Sequence, residues 1–385
     1  MENFEIDFEE LKTKNRDDYV IVDIRDGSAF EYGHIPGALN IPENEILERI
    51  KKFKANKDIY IYCKSGVISL DIAKTLRENG INAFSLKGGY VAWLKAHLYD
   101  AGTDNVKNQV ELSIRKTFHK QLFSKFAKAI NTYKLVEPND KIAVCISGGK
   151  DSMLMAKLFQ ELKLHNKFPF ELVFLVMDPG YSPANREVIE RNAKLLGIPI
   201  TIFETEIFEN VFNIEKSPCY ICARMRRGYL YSKAKELGCN KIALGHHFDD
   251  VIETILMGML YGAQIQTMMP KLHSTNFDGM ELIRPMYLIR EDDIKKWRDT
   301  NDLFFIQCAC KFTDSCTSES CLVNSNITSK RKKVKDLIRK LKTEDPQIED
   351  NIFRSVENVN LSTVITYKDK NNVRHNFLDD YDNND

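Results

Sequence analysis

The chain has 385 residues, with 55 Lys and Arg against 55 Asp and Glu, so its formal net charge is zero. That length predicts two domains or three, and the balanced charge excludes a global field toward nucleic acid or membrane, so that any basic footprint is local. No stretch approaches a membrane span. The acidic start, Met1 to Glu10, lacks a signal peptide's charged head and apolar core, which predicts a cytoplasmic protein. Nine cysteines in that compartment point to metal or thiol chemistry rather than disulfides.

Tyr19 to Arg25 reads as a buried strand ending in charge, followed by a turn-rich connector from Gly33 to Pro42. A second strand, Ile59 to Tyr62, runs into Cys63-Lys64-Ser65-Gly66-Val67-Ile68-Ser69 and a helix over 70–79, and a stretch from Phe84 to Trp93 closes the unit. Alternating short strands and helices predict a parallel α/β sheet. A cysteine at a strand-to-helix turn faces converging amide N–H groups and the helix dipole, which stabilise a thiolate or persulfide. Asp23 with Arg25, GHIPGALNIP, the Cys63 loop and Gly88-Gly89-Tyr90 with Trp93 resemble a rhodanese domain. The resemblance implies a catalytic Cys63 that carries persulfide sulfur. Rhodanese loops often place an Arg where this chain has Ile68, so Lys64 is the remaining loop cation; a docking module without catalysis is the alternative.

Residues 100–108 are polar and read as a linker. From Val110 to Val136, apolar residues at Leu112, Phe118, Leu122, Phe123, Phe126, Ala127 and Ile130 alternate with Lys116, Lys120, Lys125 and Lys128, which predicts one amphipathic basic helix. That pattern fits a solvated packing helix and an RNA-contacting face alike.

The apolar run Ile142 to Ile146 leads into Ser147-Gly148-Gly149-Lys150-Asp151-Ser152, and behind it Met153, Leu154, Ala156, Leu158, Phe159 and Leu162 recur at helical spacing. Paired glycines let the backbone turn tightly and approach a ligand. The helix start offers unpaired N–H groups and a positive dipole end, so the stretch reads as a phosphate cradle with Lys150 as a point charge. It lacks the four-residue spacer of a Walker A loop. SGGKDS after such a strand resembles the PP-loop of the ATP pyrophosphatases, whose members adenylate a substrate oxygen and release pyrophosphate. The strands that follow, 170–177 ending at Asp178, 198–203 and 241–244, alternate with helices and predict a doubly wound sheet. The loop, Asp178 and the turn His246-His247-Phe248-Asp249-Asp250 would converge at its carboxyl edge.

Cys219 and Cys222 form C-x-x-C, and Cys308, Cys310, Cys316 and Cys321 lie downstream. Two assignments compete: an iron–sulfur cluster on the pair plus one downstream thiolate, or a separate zinc site on the four downstream cysteines. Thiolates suit both metals. Cys145 and Cys239 read as small buried apolar residues.

PCYICARMRRGYLY, IALGHHFDDVIET, MPKL followed by LIRPM, and KLVEPNDKIAVCISGGKDS together resemble the tRNA 2-thiocytidine synthetase family over about residues 112–360. The resemblance implies a [4Fe-4S] cluster on Cys219, Cys222 and Cys308, with Cys310 as the alternative third ligand. It implies ATP bound by Ser147, Gly148, Gly149, Lys150, Asp151, Ser152, Asp178, His246, Asp249 and Asp250, with Mg²⁺ beside the carboxylates and Lys150 and Asp151 catalytic. The basic run Lys330, Arg331, Lys332, Lys333 on an apolar helical stripe, with Arg226 and Arg227, is the expected RNA contact, though a solvated face fits the run as well. The acidic end from Asp379 to Asp385 reads as disordered.

The expected organisation is a rhodanese-like α/β domain (1–100), a linker (101–111), a doubly wound adenine nucleotide alpha hydrolase-like PP-loop domain with an iron–sulfur site (112–342), and a tail (343–385). The expected activity is ATP-dependent thiolation at C2 of a tRNA pyrimidine, foremost cytidine 32. The expected partners are tRNA, a persulfide donor such as a cysteine desulfurase and, in a homodimer, a second copy of the chain. A PP-loop enzyme acting on tRNA uridine or a small molecule, and a non-enzymatic sulfur or metal carrier, are the alternatives.

Overall fold

The computed structural model describes residues 4–50, 57–100, 103–165, 167–207, 218–306, 319–379 and 381, with backbone alone at 98–100, 103–104, 218–223 and 319–329. Contacts divide the chain into two compact units, Met1–Phe248 with Met269–Ser325, and Asp249–Met268 with Asn326–Asp385.

The first unit begins with β1 (Glu5–Ile6), α1 (Phe8–Lys12), β2 (Tyr19–Asp23), α2 (Gly27–Tyr32), β3 (Leu39–Asn40), α3 (Ile46–Arg49), β4 (Asp58–Tyr62), α4 (Val67–Glu78), β5 (Ala83–Leu86) and α5 (Gly89–Asp100). Its strands form a parallel sheet in the order β1-β5-β4-β2-β3. β2 (YVIVD) and β4 (DIYIY) are nearly unbroken apolar runs, as strands covered on both faces require. Val22, Ile24, Ile59, Ile61, Ala73 and Leu76 close the core around them. Strand order reverses between β2 and β4, so the loops leaving their carboxyl ends share one crevice. Arg25 stands in one of these loops and Cys63 in the other.

After α6 (Thr103–Arg115) and α7 (Ser124–Thr132) come β6 (Lys141–Ile146), α8 (Lys150–His165), β7 (Glu171–Asp178), α9 (Pro183–Leu195), β8 (Ile200–Glu204), α10 (Pro218–Glu236), β9 (Lys241–Ala243), α11 (Phe248–Gly262), β10 (Lys271–His273), β11 (Glu281–Ile283) and α12 (Glu291–Thr300). The second sheet runs β10-β11-β9-β6-β7-β8, parallel except for β10. Its order reverses between β6 and β9.

Helix α5 lies along α9 and joins the two sheets. Trp93 and His97 meet the Phe304 ring edge-on at 4.9 and 4.6 Å between centroids. Lys95 pairs with Glu187, and Arg191 donates to the Lys95 carbonyl at 3.4 Å.

The second unit takes most of α13 (Glu319–Glu344), then α14 (Ile348–Ser355) and the hairpin β12 (Thr366–Lys368) with β13 (Arg374–Asn376). Buried Val334 and Ile338 form the inward stripe of α13. The segment after 343 thus carries α14 and a hairpin. Asp380 and residues 382–385 of the acidic end lie outside the described residues.

Two expectations are corrected. Residues 103–111, read as linker, belong to α6, because Val106, Val110 and Ile114 recur every four residues opposite exposed Asn105 and Asn108. Val110 and Ile114 are buried. The single helix predicted over 110–136 breaks into α6 and α7 at a widened helical turn, His119–Phe123, which rotates buried Leu122 into register with Phe126.

Val110→Ala is expected to lower stability by about 2 kcal/mol through two lost buried methyl groups. A residue in a solvated linker would change it by less than about 0.5 kcal/mol. The denaturation midpoint of the full chain distinguishes the two.

Candidate active site

The second strand-order reversal is where the SGGKDS loop sits, between β6 and the first turn of α8. Gly148 has φ +85°, and a Cβ there would stand 2.6 Å from Ile189, so both conformation and space demand glycine. Ser152 Oγ accepts from the Ser147 amide at 3.1 Å and donates to the Gly149 carbonyl at 3.0 Å. These bonds close the loop on itself. From the neighbouring strand, Gly245 approaches so closely that a Cβ would lie 3.3 Å from the Ser152 nitrogen.

Lys150 is only 2% exposed. A buried ammonium needs compensating charge, and Asp151 supplies it at 2.9 and 3.0 Å. Glu291, from the first turn of α12, adds a second carboxylate at 3.4 Å. His247 Nε2 stands 4.0 Å from Asp151. Glu291 escaped the sequence reading because it is one of three consecutive acidic residues, Glu291-Asp292-Asp293, that read as a helix start. One further neighbour was equally hidden: the Tyr32 hydroxyl, at the end of α2, accepts from the Lys150 amide at 2.8 Å.

Asp178 ends β7 at the same sheet edge. Its carboxylate accepts from the Gly180 and Tyr181 amides at 2.9 and 2.6 Å and from Arg186 at 3.4 Å. Buried His247 and neighbouring His246 follow β9. Asp249 and Asp250 open the first turn of α11 and belong to the second unit. There Asp250 receives Arg331 at 2.6 Å, and Arg331 also reaches Glu253 at 2.7 Å.

In the first sheet, Cys63 leaves β4 and Gly66, at φ +89°, caps α4. Cys63 Sγ accepts from the Gly66 amide at 3.1 Å and from Ser69 Oγ at 3.4 Å. The loop is braced from behind, where the Cys63 carbonyl accepts from the Tyr90 amide at 2.9 Å. Ile68, the departure from the common rhodanese loop, packs against the apolar core. Buried Asp23 grips Arg25 at 2.6 Å, and Arg25 donates to the Gly33 carbonyl at 2.7 Å.

Cys219 and Cys222 stand three residues apart at the start of α10, and Cys321 lies in α13; their side chains are outside the described residues, as are Cys308, Cys310 and Cys316 altogether. Among the described residues no three His, Cys, Asp or Glu side chains gather as a metal site. Cys145 and Cys239 are buried in one apolar cluster. Burial, with Cys239 nearby, pushes the Cys145 thiol up to about 12.

Sequence-family models match a Rhodanese-like domain at residues 7–96 and a PP-loop domain at residues 118–312. A protein of Methylobacillus flagellatus named tRNA-cytidine(32) 2-sulfurtransferase is 36% identical over 262 residues, covering 66% of this chain and 80% of that one. One of the same name from Neisseria meningitidis is 34% identical over 256 residues, covering 66% and 76%. The chain belongs to the tRNA-cytidine(32) 2-sulfurtransferase family. Among solved structures, the U34-tRNA thiolase NcsA from Methanococcus maripaludis with its [4Fe-4S] cluster is 24% identical, with a TM-score of 0.47 over 61% of this chain and 76% of that one.

The basic residues of this sulfurtransferase-family chain are unequally available. Lys332 and Lys333 are exposed on α13, as is Arg227 on α10, whereas Arg226 is half-buried. Lys330 lies over the Tyr261 ring at 5.1 Å. Among the described residues no helix is long and apolar enough to cross a membrane.

The Arg331 pair has a definite pH signature. Burial raises the Glu253 carboxyl above its ordinary value, and Arg331 pulls it partly back. A raised folded value means that Glu253 opposes folding progressively as pH rises through that value. Arg331→Gln moves it further up, so the loss of stability is expected to be about 1–2 kcal/mol at pH 8, moderated by the half-exposed guanidinium. It should shrink below about pH 4, where Glu253 is protonated in folded and unfolded chains alike. Urea melts at the two pH values read the difference.

Proposed function

We propose that this chain is an ATP-dependent tRNA sulfurtransferase that adenylates and then thiolates C2 of a tRNA pyrimidine, with cytidine 32 as its substrate. The observation that carries the reading is the complete SGGKDS loop at the strand-order reversal in a chain of this family. The amides of Gly149 and Lys150 and the Lys150 ammonium suit a polyphosphate, and Ser152 holds the loop in shape. The C2 oxygen of the base attacks the α-phosphate of ATP, the bond to the bridging oxygen breaks, and pyrophosphate leaves toward these donors. Sulfur then adds at C2 and AMP departs with the former C2 oxygen.

Asp151 offers the hard oxygen donors that suit Mg²⁺, an ion that would neutralise phosphate charge. The thiolates of Cys219 and Cys222, with Cys308 or Cys310 as the third, suit a [4Fe-4S] cluster, which when bound would leave one iron open to sulfide. On the rhodanese side, the amide and hydroxyl donors around Cys63 fit a thiolate or persulfide. A Cys63 persulfide carries zero-valent sulfur, so its delivery as sulfide consumes two electrons from a thiol reductant. The division into rhodanese-like (1–100) and PP-loop (112–342) domains, cytoplasmic location, a persulfide-donating partner and a homodimer belong to the same reading.

Nucleoside mass spectrometry on total tRNA from a strain lacking the gene tests it. 2-Thiocytidine is expected to vanish, to return with the wild-type chain, and to stay absent with Lys150→Ala. Loss of 2-thiouridine instead would leave the chemistry standing and overturn the substrate; no change in any thionucleoside would overturn the tRNA assignment. If exposed Lys332 and Lys333 touch phosphates, replacing both with Ala should flatten the slope of log affinity for tRNA against log salt by about 1.5. Filter binding across salt concentrations measures that slope.

A further inference from the structure

The Lys150 amide is the first N–H of α8, one of the donors a helix leaves without an intrahelical partner. In a phosphate loop this is the N–H that a phosphate oxygen takes. Here the Tyr32 hydroxyl takes it, at 2.8 Å. The same oxygen closes the space over Gly149, since a Cβ built there would lie 2.7 Å from it. The Lys150 ammonium stands 5.0 Å from the centre of the Tyr32 ring. One side chain of the rhodanese-like domain thus covers two residues of the cradle.

Its position is fixed from behind. Arg298, in α12, donates to the Tyr32 carbonyl and, at 3.4 Å, to that of Glu31. Arg25 holds the Gly33 carbonyl at 2.7 Å. Tyr62, next to Cys63, accepts from the Ile35 amide at 3.1 Å. Helix α2 is therefore clamped between the phosphate-loop domain and the sheet that bears the sulfur-carrying cysteine.

We infer that Tyr32 competes, within the chain, for the phosphate seat of the PP-loop: a polyphosphate and the Tyr32 hydroxyl cannot both take the Lys150 amide, and nucleotide enters by displacing the tyrosine. The inference rests on the reading of SGGKDS as a polyphosphate site. An anionic phosphate oxygen at a helix N-terminus makes a stronger, charge-assisted bond than a neutral phenol, so nucleotide wins, with an affinity reduced by the displacement. By linkage, nucleotide loosens the seating of Tyr32 by the same factor as unseating Tyr32 tightens nucleotide. Tyr32 thereby sets the apparent nucleotide affinity and ties it to the placement of the domain that carries Cys63.

Isothermal titration of the full chain with inorganic pyrophosphate and Mg²⁺ tests this. Tyr32→Phe keeps the ring and deletes the acceptor, and it is expected to bind pyrophosphate roughly two- to ten-fold more tightly than the wild type, the worth of one hydrogen bond. Arg298→Gln, which frees the Tyr32 carbonyl and leaves every loop residue in place, should shift affinity the same way. Unchanged affinity in both variants overturns the competition; weaker affinity in Tyr32→Phe overturns it too, making the tyrosine a phosphate ligand instead. Lys150→Ala separates this from the underlying reading. If it abolishes wild-type binding, the loop is the polyphosphate site and the Tyr32 result stands on its own. If neither wild type nor Tyr32→Phe binds pyrophosphate, the reading of the loop fails and takes the competition with it.

Discussion

A lysine buried at the first turn of a helix is the constraint around which the catalytic half of this molecule is built. The Lys150 ammonium has lost nearly all its water, and an unpaired charge in that position would be expelled or neutralised. The carboxylates of Asp151 and Glu291 meet it, and they come from different parts of the chain. Helix α12 must therefore stand where Glu291 reaches the loop, and β9 must end where Gly245 can touch Ser152. The reversal of strand order between β6 and β9 opens the crevice in which these groups meet. Charge compensation of this kind holds the lysine in place, so that in the proposed reaction little reorganisation remains when charge develops on a leaving group.

The first sheet repeats the arrangement around a sulfur atom. Cys63 also leaves a strand at a point where strand order reverses, and a glycine-capped helix again supplies the amide. The ligand in this case is the chain's own sulfur, and Ser69 adds a hydroxyl donor. Rhodanese loops that carry an Arg at position 68 add a mobile cation to such a nest. This chain spends that position on the core, with Ile68 packed beneath the loop. Sulfur there is held by neutral donors, with half-buried Lys64 the cation closest in sequence.

Much of this was legible in the sequence, for a physical reason. The strand-glycine-helix junctions at 63–66 and 146–150 combine an apolar run, a backbone requirement and a helical period, and three local signals agree at each. Cys145 and Cys239 were legible as core because thiols in apolar runs behave as small hydrophobes. The partners that complete the phosphate loop were not legible. Tyr32 and Glu291 are local helix residues by every sequence criterion, and only the packing of α2 and α12 brings them to Lys150, with Arg298 behind them on the Tyr32 carbonyl. The polar start of α6 hid its helix for a different reason: its apolar stripe, half-buried Val106 with buried Val110 and Ile114, is narrow, and Asp104, Asn105 and Asn108 dominate the local composition.

That helix changes the argument about sulfur delivery. A flexible linker would let the Cys63 domain search a volume, with an effective concentration set by tether length. Here α6 begins at Thr103, close behind the end of α5 at Asp100, and α5 is packed along α9 through Trp93, Lys95 and His97. The rhodanese-like domain is docked rather than tethered. In a docked arrangement, the timing of sulfur transfer depends on what loosens the interface, and random encounter contributes little. At that interface Tyr32, from α2, accepts from the Lys150 amide, and Arg298, from α12, holds the Tyr32 carbonyl. In the proposed reaction, activation and sulfur supply share that boundary. A chain that must not release sulfur before the base is activated gains an ordering device when the nucleotide site and the docking surface are built from the same few residues.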